Sequence, residues 1–156
     1  MKKVLAVVFA ILPLLYACDH NKTMPDMQAV SEAVLSAVEQ KEALALADDD
    51  FEESNFDLDE QTDEARIYVD EGREIGIFKL EDDGDATLVE RRIKDYIAGE
   101  KESISSLLEL YPSEELSARL SRYQNAVILS KNGYVCYLIL EKGELAAAEQ
   151  AFLQLF

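Results

Sequence analysis

The chain has 156 residues, 32 acidic against 15 basic, for a net charge of −17, and one histidine, His20. A surface of that sign repels phosphate backbones, so nucleic acid is excluded as a partner. A single histidine leaves neither a zinc site nor a base to activate a serine or cysteine nucleophile.

Lys2 and Lys3 precede an apolar run from Val4 to Leu15 that is interrupted by Pro13. A membrane-spanning helix needs about 20 apolar residues, so this run is too short to cross a bilayer and reads as an export signal. Its end, Leu15-Tyr16-Ala17-Cys18, resembles the lipobox of bacterial lipoproteins. That resemblance implies that the Cys18 sulfur receives a diacylglyceryl group and that cleavage makes Cys18 the first residue. The other reading of the same residues is an ordinary secretory signal followed by a chance cysteine. On the lipoprotein reading, 1–17 is a signal peptide, 18–25 a polar tether and 26–156 a single domain. One acyl chain holds a protein only marginally, whereas two chains of the palmitate kind anchor it stably. Loss of Lys2 and Lys3 with no acid takes the charge from −17 to −19, so attachment rests on the acyl chains and not on a basic patch. The expected location is the extracellular face of the cell membrane.

From Asp26, placed as an N-cap, Met27, Val30, Val34 and Val38 recur at helical spacing and predict a helix ending near Gln40. The segment 48–64 carries ten acids and no basic residue, yet holds Phe51, Phe56 and Leu58. It reads as an acidic loop with one or two short helical turns pinned to the core by those rings. No register of it supplies the glycine and glutamate of an EF-hand, which leaves weak, diffuse cation binding as its one metal-related role. Arg66 to Val69 and Glu74 to Leu80 predict two strands around a turn at 70–73. Thr87 and Glu90 form a capping-box pattern ahead of a helix to about Leu110, in which Gly99 is expected to bend or break the middle.

Tyr111-Pro112-Ser113 stops that helix and caps a shorter one to about Tyr123. Two apolar runs then flank Asn132-Gly133, the pair that suits a type I′ hairpin turn. The second run, around YVCYLIL, is apolar at nearly every position and predicts a strand buried on both faces. Cys136 lies inside it and reads as a small hydrophobe with no disulfide partner. Gly143 is expected to end that strand. Leu145, Ala148, Phe152 and Phe156 then form a closing amphipathic helix. The predicted fold is α+β: a four-stranded antiparallel sheet from two β-hairpins, packed with about four helices.

An acidic segment before ARIYV, the strand EIGIFKLED, the helix VERRIKDYI and the run YPSEELSARLSRYQNAVILSKNGYVCYLIL occur in this order. In this order they resemble the domain of unknown function 4358 family, small lipoproteins of Clostridia and related Firmicutes. Arg92, Lys94, Tyr111, Pro112, Asn125, Ala126, Val127, Ile128, Gly133 and Tyr134 match features of that family. The segment 48–64 is more acidic than its pattern. The resemblance implies a lipid-anchored extracellular protein of a Gram-positive cell and carries no activity with it.

These features favour a non-catalytic binding module at the cell envelope, with no cofactor and with an envelope protein or ligand as partner. Tyr68, Tyr111, Tyr123 and Tyr134 are the candidate contacts, because tyrosine is enriched at interface anchors. A cation or small-ligand binder using the acidic segment is the alternative. A hydrolase would need two carboxylates held a few ångströms apart in a cleft, and the density of acids in the sequence does not place them.

Overall fold

The structure, a computed structural model, describes residues 24–156 apart from Asp59 and Asp83. The lipobox, Cys18 and His20 lie outside the described residues.

Helix α1 spans Met27–Ser36, and the Asp26 carboxylate accepts the Ala29 N–H at 2.8 Å as its N-cap. The helix ends earlier than its apolar spacing predicts, because the chain tightens at Ala37 and reaches a left-handed Gln40 with φ of 49°. Val38 nevertheless stays in the core. A single 3₁₀ turn, Lys41–Ala43, leads to β1, Ala45–Leu46. Helix α2, Asp49–Asn55, follows with Asp48 as its cap. Strand β2 covers Thr62–Val69 and β3 Glu74–Leu80.

Helix α3 runs unbroken from Ala86 to Leu110, and α4 from Glu114 to Gln124. The α3 cap is Asp85, whose carboxylate accepts the Thr87 N–H, and not the predicted box at Thr87. Gly99 does not break α3, which stays helical from Ala86 to Leu110; a Cβ there would meet open space, and the buried face is carried by Val89, Ile93, Ile97 and Ile104. Strands β4, Val127–Lys131, and β5, Tyr134–Ile139, form the predicted hairpin, with positive φ at Asn132 and Gly133. Gly143 does not end β5; it lies within α5, Lys142–Gln154.

The sheet is antiparallel in the order β1-β2-β3-β5-β4, five strands where the sequence predicts four. The added strand is the two-residue edge β1, which pairs Ala45 and Leu46 with Val69 and Tyr68 and is too short and too exposed to leave a periodic signal. Helices α1 and α5 cover one face, where Val30, Val34, Ile75, Ile77, Cys136, Leu138 and Phe152 form a core. On the other face α3 and α4 enclose Phe78, Ile93, Ile97, Val135, Tyr137 and Ile139. Strand β5 is buried throughout, as its composition predicts. Among the described residues no helix is long and apolar enough to cross a membrane.

Candidate functional site

Alternation along β3 turns Ile75 and Ile77 toward α1 and α5, and Glu74, Gly76 and Phe78 toward α3 and α4. An acid is thereby placed on a buried face, and Glu74 is only 5% exposed. A buried carboxylate is costly unless hydrogen bonds replace its water. Three phenols supply them. Tyr96 of α3 donates its hydroxyl at 2.9 Å to Oε2, with Oε1 at 3.0 Å. Tyr137 of β5 donates to Oε2 at 3.2 Å, and Tyr123, from the last turn of α4, donates to Oε1.

Gly76 makes this geometry accessible. It pairs with Tyr137 across β3 and β5, and a Cβ on it would stand 2.0 Å from Cε1 of the Tyr137 ring. Without a side chain at 76, the ring lies across β3 and its hydroxyl reaches the acid two residues away. Phe56, from the acidic segment, closes the group from the side, with its ring centroid 4.9 Å from that of Tyr96 and 5.8 Å from that of Tyr137.

Burial pushes the Glu74 carboxyl above its ordinary 4.5; the three phenol hydrogen bonds pull it back only in part, and the nearby Glu100 charge adds to the rise. Burial first, and then the Glu74 charge, raise the hydroxyls of Tyr96, Tyr123 and Tyr137. The phenols therefore stay protonated and remain donors. A cleft of about 330 Å³ opens beside the group, with Glu74, Asp70, Glu71, Glu115 and Arg119 among its walls. The Arg119 guanidinium sits 5.7 Å from the Tyr123 ring centroid and reaches Glu100 at 3.2 Å, a cation–π contact and an ion pair on one side chain. Among the described residues the hydrogen-bond partners of Glu74 are these three phenols. The arrangement ties β3 and β5 to α3 and α4 through one polar centre.

A second buried cluster forms on Arg73, at the β2–β3 turn. Its guanidinium bonds Asp70, the Glu39 carbonyl at 2.9 Å and Glu144 at 3.1 Å, while Glu144 also accepts the Glu39 N–H at 3.0 Å. These contacts fasten the turn after α1 to the start of α5.

The four tyrosines singled out from the sequence separate. Tyr123 and Tyr134 are each 1% exposed, which corrects their reading as surface contacts: Tyr123 belongs to the Glu74 group, and Tyr134 donates to the Pro25 carbonyl at 2.8 Å. Tyr68 is half-buried and packs against the first core. Tyr111 alone of the four stands out, 70% exposed, beside Leu110 at 71% and Leu107 at 47%. The acidic segment folds as its rings predict, with Phe56 and Leu58 buried, and Asp48, Glu52 and Glu53 line a separate cleft of about 360 Å³. Cys136 is fully buried and burial pushes its thiol up, as expected of a structural cysteine; among the described residues it has no disulfide partner.

The Glu74 group leaves only a trace in the sequence. An acid opens a strand whose next four residues, Ile75 to Phe78, carry no charge, at a position whose alternation partners, Gly76 and Phe78, face a core. The chain matches no family model, no curated protein and no solved structure.

Proposed function

We propose that the chain is a lipid-anchored protein of the extracellular face of the cell membrane, and that it works there as a non-catalytic binding module for an envelope component. The observation that carries the binding role is the exposed apolar corner between α3 and α4. Leu107, Leu110 and Tyr111 are three of the six large apolar side chains that stand exposed among the described residues, and they fall within five positions of one another. Large apolar and tyrosine side chains left in solvent at one place suit an interface centre, with the surrounding acids as its polar rim. The order of Lys2, Lys3, the apolar run and Leu15-Tyr16-Ala17-Cys18 supports the anchor. The likeness to the family of small lipoproteins described above supports the same location.

Two experiments test this. A photo-crosslinker placed at Glu109, beside the corner, should capture one reproducible product in native envelopes, and Leu110→Ser with Tyr111→Ser should abolish the product without lowering Tm. Equal capture by the double variant would remove the corner from the function. For the anchor, Cys18→Ser should release the chain from membranes and block incorporation of labelled fatty acid; retention would overturn the lipoprotein reading.

A second reading is weak, diffuse cation binding by the segment 48–64: Asp48, Glu52 and Glu53 line one cleft, although among the described residues no group of three or more such ligands is placed to hold a metal ion. Calorimetry with millimolar calcium decides it. Heat with a thermal shift would support this reading, and the lack of both would remove it.

A further inference from the structure

Strand β4 is the free edge of the sheet opposite β1. A two-residue turn makes Lys131 and Tyr134 its first hydrogen-bonded pair, and antiparallel pairs alternate between bonded and unbonded. Leu129 and Val127 therefore bond β5, while the N–H and C=O of Ile128 and Ser130 face away from the sheet. Such an edge is a template for one more strand.

Beside it runs a groove of about 370 Å³ between α3 and the α4–β4 connection, with an apolar base of Ile97, Ala126 and Ile128 and with Lys94 and Lys101 on its α3 wall. Lys94, Ile97 and Lys101 are spaced three and four apart and so share one helix face. Lys94 pairs with Glu90 at 3.2 Å, and Lys101 makes no ion pair among the described residues. Two lysines flanking an apolar base are unusual ground on a chain of net charge −17.

We propose that the β4 edge and this groove dock an extended acidic segment of a partner protein, added as a further strand. Its backbone would pair with Ile128 and Ser130. Side chains on one face of a strand recur every ~7 Å, so two acids with one residue between them on that face stand ~14 Å apart; the two lysines, seven residues apart on α3, are separated by ~10 Å along the helix, and their long side chains span the difference. An apolar residue between them would cover Ile97 and Ile128. The chain's overall charge opposes an acidic partner at long range, so selection here works by contact and not by steering. The site uses none of the residues of the Leu110–Tyr111 corner and stands or falls independently of it.

The test is fluorescence anisotropy on the full chain in detergent micelles, with a labelled peptide in which threonine alternates with glutamate and valine. Saturable binding is expected. Lys94→Gln with Lys101→Gln should weaken it about tenfold, with Tm unchanged because both side chains are at the surface. Methylating the peptide's alternate backbone nitrogens, a change that cannot disturb the protein, should also weaken it about tenfold or more by removing strand hydrogen bonds. Equal binding of a peptide with lysine in place of glutamate would overturn the charge selection, and indifference to methylation would overturn strand addition. Concentration-dependent dimers of the chain that the peptide does not dissociate would assign the edge to a second copy instead and overturn the proposal.

Discussion

Removing the Glu74 carboxylate would leave the buried hydroxyls of Tyr123 and Tyr137, and the half-buried one of Tyr96, without this acceptor. An unsatisfied buried donor costs roughly 1–3 kcal/mol, so Glu74→Ala is expected to lose about 3–5 kcal/mol in denaturant unfolding, allowing for relaxation. Glu74→Gln keeps an acceptor oxygen and similar volume and should cost much less. The glutamine variant also isolates a pH effect. The folded state raises the Glu74 pKa above 4.5, so the native chain holds this proton more tightly than the unfolded one. The stability it contributes is complete below the unfolded value and falls as pH rises through the folded value. The unmodified protein's Tm should therefore decline relative to that of Glu74→Gln as pH is raised from about 4.5, the unfolded value. Parallel Tm profiles for the two proteins would show that Glu74 titrates as it does in solvent.

Helices and strands with strong periodicity were legible in the sequence, and weakly patterned ones were not. The Asn132-Gly133 turn, the caps at Asp26 and Ser113 and the doubly buried β5 all follow from residue chemistry that acts over a few positions. Strand β1 could not be read in advance, because two exposed residues owe their pairing to β2 and not to their own side chains. Gly99 shows the limit of propensity. Its cost is spread over a helix of 25 residues whose buried face, Val89, Ile93, Ile97 and Ile104, keeps it packed on the core. Since a Cβ at 99 would meet nothing, Gly99→Ala should stabilise the protein by about 0.5–1 kcal/mol, read as a shift in the denaturant midpoint with unchanged slope. A loss of stability would mean that α3 depends on the freedom of this glycine. The Glu74 group stayed hidden for a related reason: its members come from four elements, and only the register of β3 against β5 brings Gly76 and Tyr137 together.

At the scale of the whole molecule, the charge of −17 works against compactness. Raising ionic strength from 0.01 to 0.1 M shortens the screening length from about 30 Å to about 10 Å, so Tm should rise by a few degrees in scanning calorimetry. A fall would show that pairs such as Arg73–Glu144 and Arg119–Glu100 outweigh the repulsion. The hydrogen bond from Tyr134 to the Pro25 carbonyl fixes where the described chain leaves the sheet, at the Asn132-Gly133 end. If the lipid anchor proposed above holds Cys18 in a bilayer, the six residue steps to Met24 can reach at most ~20 Å. The Asn132-Gly133 end would then face the lipid headgroups. Glu74 pairs with Ile139, five residues further along β5, so the cleft beside it would open ~17 Å deeper into the envelope, away from the membrane. Tether length, and not affinity alone, would then decide which layer of the envelope each surface of the protein can touch.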